Sequence, residues 1–434
     1  MKIAIRKLFS LILAVVLLSA SAICESSDPV IATYKGGEVK VSEVAAQVES
    51  EINAMASTLN YFRQMQGGEA YTPTEDDVAY VREYVVNAYI NQQIVIQKMK
   101  EYGVSDLTEE EKAELQSSAQ YTYAQYAYPY TVQFGYTLEQ AAYALSMQGI
   151  TIDTIYKNAY YSEINKRVMD ALEIDKEISE ENLKEKYDAL IASAEQTYTN
   201  NPAAIENIAN SASTVYFMPE GARYVKHIIL IPEDEELMTR YESLISDLSA
   251  YETEYATITS EAYEPKYEAY IEQAIYDECV ENIDLTKKAI EEIKNEVLAS
   301  VQSEVDTVLK DVEAGKSFDE LIETYSDDPA SKEEPIKTNG YLVHKDSKAW
   351  DEAFKAAAFS LEAAGDISSA TVGTLGVYIV KYESDPVFGA AALENVRSEV
   401  ENTIYNERRS ELFGTLTAQW IQEADIQLAL DAWK

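Results

Sequence analysis

Between residues 316 and 385 the chain carries a series of short motifs that indicate one compact module. A Gly-Lys-Ser-Phe-Asp-Glu-Leu segment is followed by Tyr-Ser-Asp-Asp-Pro, by the aromatic and alanine-rich residues 354–359, and by Gly-Val-Tyr-Ile-Val-Lys. Well upstream, residues 225–230 form a strand-like stretch in which Val225 and Ile229 share a face with His227. These segments are the ones from which a functional hypothesis can be built.

The motif series and the upstream stretch resemble the parvulin-type peptidyl-prolyl isomerase domain, and the surrounding chain resembles the PrsA/SurA class of extracytoplasmic foldases. The resemblance implies an α+β protein with a mainly helical chaperone domain. Into this domain a parvulin-like domain would be inserted, formed by a small antiparallel sheet with surrounding helices. The predicted divisions are a signal peptide (1–22), the first part of the chaperone domain (23–220), the parvulin-like domain (221–386) and a carboxy-terminal helix that completes the chaperone domain (387–434).

The amino terminus predicts export from the cytoplasm. Three basic residues precede an apolar run over residues 8–18, and Ala20 and Ala22 supply the small-residue pattern of a signal-peptidase site. The run is shorter than the ~20 apolar residues that a membrane-spanning helix requires. We therefore predict cleavage after Ala22 and an extracytoplasmic protein, either secreted or associated with the cell envelope.

Cys24 follows the predicted cleavage site and is a candidate for lipid attachment, because PrsA-type foldases are often lipoproteins. The surrounding residues fit such a site poorly, since Ser21 stands where lipid boxes usually carry leucine and Ile23 stands where they carry a small residue. The favoured prediction is a start near Ile23 without lipid. The alternative is a lipoprotein on the outer face of the cell membrane.

Composition excludes several classes of function. With 76 acidic and 35 basic residues the net charge is −41, so a nucleic-acid backbone would be repelled. The only two cysteines, Cys24 and Cys279, cannot form a disulfide framework. We predict no metal or cofactor, and we expect unfolded or newly exported polypeptides as partners.

The region before residue 220 predicts a layer of amphipathic helices behind a short hairpin. Val30–Tyr34 is a β-like run that a glycine-containing turn joins to a second short run. Thr74 and Thr108 each begin a helix with capping-box spacing. Beyond Pro386, apolar residues at i, i+4 spacing predict a long helix that returns to this domain.

Residues 121–136 interleave seven aromatic side chains with alanine, glutamine and proline. Rigid aromatic rings with polar tips suit the binding of unfolded chains, because each ring buries a large area with little loss of rotamer freedom. Aromatic side chains at helical spacing more often pack into a helical core. We favour packing and keep the binding surface as the alternative.

Residues 235–292 depart from the pattern of a plain parvulin domain. They predict a pair of antiparallel helices with a bend at 260–265. Parvulin domains carry a much shorter connection at this place. A surface insertion is tolerated because the cost of loop closure grows only slowly with length. We predict a detachable helical hairpin that either binds clients or extends the scaffold.

Rotation about an X-Pro bond requires no nucleophile, only a site that holds the twisted amide better than the planar one. The family supplies polar groups from two histidines and a cysteine or aspartate. By resemblance His227 is the first histidine, Asp328 takes the cysteine or aspartate position, and Tyr378 replaces the second histidine. A tyrosine cannot take over the charge or tautomer change of imidazole, so the resemblance implies weak or lost activity.

The resemblance also implies an apolar cup for the proline ring, formed by Leu342, Trp350 and Phe354. Trp350 replaces the usual methionine and makes the cup shallower. His344, the second histidine of the chain, is expected to be an exposed loop residue on the face away from Leu342.

The function implied is that of a peptidyl-prolyl cis-trans isomerase and foldase that binds proline-containing segments of secreted proteins. A holdase whose parvulin domain has lost catalysis is the first alternative. A cell-surface binding or structural protein that uses the fold as a scaffold is the second.

Overall fold

The computed structural model describes residues 28–65, 69–211, 213–260, 263 and 269–433. Cys24 and the predicted signal peptide lie outside these ranges. The predicted α+β class is confirmed, since helices dominate and the strands form small antiparallel sheets. Within the described ranges, no helix has the length and apolar character needed to cross a membrane.

The described residues divide into two compact units. The first contains the residues up to Glu177 together with those from Thr403 onward, and the second is Ile178–Asn402.

In the first unit a small antiparallel sheet joins residues from the two ends of the described chain. Strands β1 (Val30–Tyr34) and β2 (Gly37–Lys40) form a hairpin whose turn holds Gly36 at a φ of 104°, a conformation open to glycine. Strand β9 (Gln427–Leu428) pairs with the other edge of β1. The first unit is thus completed by residues close to the end of the described chain.

Five helices follow the hairpin along the chain: α1 (Val41–Met65), α2 (Glu75–Met99), α3 (Glu109–Val132), α4 (Leu138–Ser146) and α5 (Ile152–Ala171). Thr74 and Thr108 form the predicted capping boxes, each side chain accepting the N–H three residues later at 3.2 Å. The long helix α14 (Leu393–Glu423) brings Trp420 into the same apolar core as Ile90 of α2 and Ile164 of α5.

The aromatic residues of α3 and the turn after it are only partly packed. Tyr123 is buried against Ala127 and Leu145, as the favoured prediction requires. Most of the others are on the surface: Tyr121, Tyr126, Phe134 and Tyr136 are 48%, 49%, 64% and 43% exposed. Tyr121, Tyr126 and Tyr136 are half-buried, so the packing interpretation stays a prediction for them, whereas Phe134 lies mainly in solvent.

The second unit is built around a four-stranded antiparallel sheet with the order β5-β4-β7-β6. Its strands are β4 (Ala222–Leu230), β5 (Tyr341–His344), β6 (Thr371–Gly373) and β7 (Gly376–Ser384). In the central pair, His227 lies opposite Val380 and Ile229 opposite Tyr378. His227 and Tyr378 therefore point to the same face of the sheet.

Each face of this sheet is covered by different helices. On the face shared by His227, helix α13 (Glu352–Ser360) packs Phe354 and Ala358 against Val225 and Val380. The opposite face is covered by α8 (Glu235–Ile258), α9 (Ala269–Ser300), α10 (Gln302–Glu313) and α11 (Phe318–Tyr325). A short helix, α12 (Ile336–Asn339), precedes β5.

Helices α8 and α9 form the predicted antiparallel pair, but its base belongs to the core of the sheet. Met238 and Tyr241 of α8 are buried with Ile290 of α9 in the cluster that contains Ile228 and Ile379. The prediction that residues 235–292 are detachable is therefore wrong at the base of the hairpin. Only its distal part stands outside this cluster, and the bend predicted at 260–265 lies largely outside the described residues.

The division between the units also differs from the predicted boundaries at 220 and 386. Helices α6 (Glu180–Asn200) and α7 (Ile205–Ala209) lie in the second unit, because Ile205 packs against Leu342. On the other side of the module, strand β3 (Phe217–Met218) pairs with β8 (Gly389–Ala390). Local pattern alone could not show these long-range contacts.

Candidate active site

The segment after α11 brings Asp328 to the imidazole of His227. The N–H of Asp327 donates to the carbonyl of Ile229 at 2.9 Å, and the Asp327 carboxylate accepts from the N–H of Ile231, also at 2.9 Å. The Tyr-Ser-Asp-Asp-Pro motif is thus fixed to the end of β4. As a result, Oδ2 of Asp328 lies 3.3 Å from Nε2 of His227.

A tyrosine completes this polar group. The hydroxyl of Tyr341 donates to Oδ2 of Asp328 at 2.7 Å, and the N–H of Ala330 donates to Oδ1 at 3.0 Å. Burial alone would raise the pKa of the Asp328 carboxyl, but the hydrogen bonds with His227 and Tyr341 outweigh it and lower the pKa. Burial and the bond to Asp328 raise the pKa of Tyr341 well above its usual range, so its hydroxyl remains a donor.

Gly340 allows Tyr341 to reach this position. Its φ is 81°, and a Cβ atom there would lie 2.6 Å from the carbonyl oxygen of Val225. Only glycine fits both the backbone angle and this close approach between β5 and β4.

Aromatic rings surround the imidazole. The ring of Tyr341 stacks on His227 with centroids 5.2 Å apart, and Phe354 and Tyr378 meet it edge to face at 5.3 and 5.7 Å. Trp350 stacks on Phe354 at 4.6 Å, leaving the phenylalanine fully buried. Two of the three residues predicted for the cup, Trp350 and Phe354, are therefore in contact, and the indole covers the phenyl ring.

Tyr378 and His227 interact with different carboxylates, Tyr378 with Asp351 and His227 with Asp328. The hydroxyl of Tyr378 bonds to Asp351, the residue that caps α13 by accepting the N–H of Phe354 at 2.7 Å. Burial and this carboxylate raise the pKa of Tyr378. Gly373 makes the arrangement possible, since a Cβ atom there would lie 2.5 Å from both Asp351 and the Tyr378 ring.

One of the two ring nitrogens of His227 makes no hydrogen bond within the described residues. Nδ1 of His227 is buried and has no hydrogen-bond partner among the described residues. Tyr378 is close enough for ring contact, but its hydroxyl is committed to Asp351. The polar site is thus divided into a His227–Asp328–Tyr341 group and a Tyr378–Asp351 group.

Two sequence expectations about β5 are wrong. Leu342 does not reach the cup, because alternation along the strand turns it to the opposite face, where it is buried with Ile205 and Met218. His344 shares that face and is buried rather than exposed. Its backbone N–H donates to the carboxylate of Glu206 at 2.6 Å.

Tyr341 is the functional candidate that sequence reasoning missed. The signal was available in the alternation of β5, since the residue before Leu342 must point toward His227 if Leu342 does not. Of the six residues predicted for the site, the structure brings five together and leaves Leu342 apart. The five are His227, Asp328, Tyr378, Trp350 and Phe354, and their catalytic and binding roles stay predictions.

Comparison with known proteins gives a family match over part of the second unit. Residues 285–384 match the rotamase family described as the PPIC-type PPIase domain. The match begins after β4, so His227 lies outside it.

Three curated relatives share part of the chain. A parvulin-like PPIase of Rickettsia typhi is 29% identical over 110 residues, which cover 25% of this chain and 35% of that protein. Foldase protein PrsA 1 of Lactobacillus johnsonii is 27% identical over 135 residues, covering 30% and 44%. Foldase protein PrsA of Clostridium kluyveri is 21% identical over 279 residues, covering 55% and 80%.

Among solved structures, PrsA from Bacillus subtilis aligns over 92% of both chains, with 13% identity and a TM-score of 0.27. The chain spans less than half the length of the first two relatives. The family match covers residues 285–384 only. Residues 285–384 form a PPIC-type parvulin domain, in a chain that is similar to the PrsA foldases.

Proposed function

We propose that this protein is an exported peptidyl-prolyl cis-trans isomerase that assists the folding of secreted proteins by binding their unfolded, proline-containing segments. One observation carries the proposal. The buried His227 forms a polar group with the half-buried Asp328 and Tyr341 directly beside the aromatic rings of Trp350 and Phe354, and all of these residues except His227 lie within the stretch that matches the PPIC-type domain. The proposal includes an extracytoplasmic location and a start near Ile23, with lipid attachment at Cys24 as the alternative.

The arrangement can lower the barrier to prolyl rotation by differential binding. A twisted amide loses resonance, so its nitrogen becomes pyramidal and more basic, and its carbonyl oxygen loses the negative charge that resonance places there in the planar ground state. Fixed polar groups in a site of low dielectric stabilise such a redistribution of charge without reorganising. Asp328 orients His227 for this task, and Tyr341 holds Asp328 in place.

Entry of the proline ring requires a movement of Trp350. Phe354 lies beneath it and is fully buried. A ring that reaches Phe354 must therefore displace the indole, which lowers the affinity for proline compared with an open cup. Weak but real activity is the consequence.

The test is a protease-coupled assay on X-Pro peptides with the purified chain from residue 23. We expect a measurable acceleration that His227→Ala reduces by about tenfold to a hundredfold, on the scale of a lost polar contact in a transition state. Phe354→Ala should remove both turnover and peptide binding. No acceleration on any X-Pro peptide would refute the isomerase.

A holdase without catalysis is the second candidate, and the exposed rings of the first unit favour it. Tyr121, Tyr126, Phe134 and Tyr136 offer aromatic area to solvent. Suppression of client aggregation by the His227→Ala variant, in the absence of any wild-type turnover, would establish this function instead.

A further inference from the structure

A groove runs along one side of helix α8, beside the candidate site. It has a volume of about 990 Å³ and is open along its length. Its wall is a single face of α8 that carries mostly small and hydroxyl side chains, closed on the far side by Thr374 of the β6–β7 turn. The lining residues on α8 include Ile245, Ser246, Ser249, Thr253 and Thr257.

Thr374 links the groove to the residues around the site, although α8 itself covers the opposite face of the sheet. The N–H of Thr374 donates to Oδ2 of Asp351 at 3.2 Å, and Asp351 in turn binds the hydroxyl of Tyr378. One residue therefore borders both the groove and the polar group around the cup. Next to it, Leu375 is 60% exposed and adds an apolar contact at the same rim.

The dimensions of the groove suit an extended polypeptide. The lining runs from Glu242 to Ile258, which on an α-helix corresponds to roughly 24 Å. An extended chain covers this length with about seven residues. A segment of that length is longer than the few residues that the cup itself can hold.

The charge of the groove is negative. Glu242 and Glu254 line it, and neither forms an ion pair with any residue in the described ranges, whereas neighbouring Glu252 is paired with Lys287 at 3.0 Å. Two free carboxylates beside an apolar and hydroxyl-rich surface attract lysine and arginine and repel acidic segments.

We propose that this groove binds the segment of an unfolded polypeptide that flanks the proline in the site, and that it prefers segments with lysine or arginine. The proposal rests on the proposed isomerase function. It gives the α8–α9 hairpin a role in choosing substrates.

The test compares X-Pro tetrapeptides with and without six-residue extensions on either side, in a basic and an acidic version. For wild type we expect the basic extension to raise kcat/KM by about tenfold over the acidic one on at least one side, with a smaller ratio at high salt. Equal kcat/KM for the basic and acidic peptides on both sides would overturn the proposal.

Two serines on α8 provide a matched pair of variants. Ser249 lines the groove, whereas Ser243 is exposed on the same helix and does not line it. In Ser249→Trp the preference for the basic extension, normalised to the tetrapeptide rate of the same variant, should fall below twofold. Ser243→Trp should keep it, and an equal loss in both variants would contradict the proposal.

A direct binding measurement separates the absence of isomerase activity from the absence of peptide binding in the groove. If no peptide is turned over, fluorescence anisotropy of the labelled basic and acidic peptides measures binding directly. A tenfold difference in Kd that Ser249→Trp removes would keep the groove while refuting the enzyme. Equal Kd values would refute the groove whether or not turnover is seen.

Discussion

At the scale of single residues, the most consequential atom is Nδ1 of His227. It is buried without a hydrogen-bond partner in the described part of the chain, and a buried nitrogen in that state costs about 1–3 kcal/mol. The ring of Tyr378 contacts the imidazole, but the tyrosine hydroxyl interacts with Asp351. A histidine at position 378 would place a ring nitrogen near the unused one.

We therefore expect Tyr378→His to raise kcat/KM several-fold while lowering the free energy of unfolding by about 1–3 kcal/mol, because the bond to Asp351 and part of the ring packing are lost. Peptide assays and urea unfolding measure the two effects. Tyr378→Phe is the control, since it removes only the hydroxyl. If its turnover matches that of Tyr378→His, the reasoning about Nδ1 is wrong.

The stability contributed by Asp328 depends on pH. Its pKa is lowered in the folded state, so the stabilisation is complete above the unfolded value of about 3.9 and is lost as the pH falls through the lower folded value. We expect Asp328→Asn to cost about 1–2 kcal/mol at pH 7. The difference from wild type should shrink at pH 3, as measured by chemical unfolding at each pH.

Glu333→Gln serves as the control for this experiment, because Glu333 lies in the same loop and is exposed. It should leave the unfolding free energy unchanged at both pH values. An Asp328→Asn penalty that is the same at pH 3 and pH 7 would show that the carboxylate charge plays no part in stability.

Sequence reasoning located site residues unevenly, for a physical reason. His227, Asp328 and Phe354 each lie within a short sequence motif that can be recognised without knowing how the strands pair. Leu342 and Tyr341 are neighbours on β5, and a shift of one residue exchanges the faces of the strand. Pattern alone did not fix which of the two meets His227, because that depends on pairing with β4.

At the scale of elements, the α8–α9 hairpin has two parts with different roles. Its base supplies Met238, Tyr241 and Ile290 to the core of the second unit. The part of α8 that follows Leu248 lies outside that cluster. Capping boxes at Thr74 and Thr108 were predictable because they involve residues three apart. The role of the hairpin base was not, since its partners are distant strands.

We expect replacement of residues 249–283 by a short Gly-Ser linker to leave cooperative unfolding intact. Replacement of 235–292 should abolish it, because each large buried side chain contributes about 2–5 kcal/mol and a domain has only about 5–15 kcal/mol in total. Circular dichroism and urea titration of both variants provide the measurement. A folded 235–292 replacement would show that the base is dispensable.

At the scale of the whole molecule, the apolar clusters described above each draw on residues of a single unit. The core that contains Ile90 and Ile164 includes Trp420 and Ala424, whereas the cores around Ile228, Phe354 and Leu342 use residues of the second unit only. The first unit therefore depends on the end of the described chain, and the second does not.

Truncation after Asn402 should unfold the first unit and spare the second. The truncated protein loses Trp420, Ala424 and the pairing of β9 with β1. We expect the isomerase rate per folded second unit to persist, and hydrogen exchange to show loss of protection in the first unit, including α2 and α5, but not in the second. Protection that persists in those helices would mean that the terminal segment is not needed for the first core.

The pairing of β1 with β9 also sets the order of events during synthesis. Thr33 and Gln427 face each other although roughly 390 residues separate them, and contacts of such long sequence separation form slowly. The second unit is complete in the nascent chain earlier, since its residues end at Asn402. The helices within residues 41–171 are therefore synthesised well before Trp420 and Ala424, and the apolar core that they share with these two residues stays incomplete until after the second unit has been synthesised.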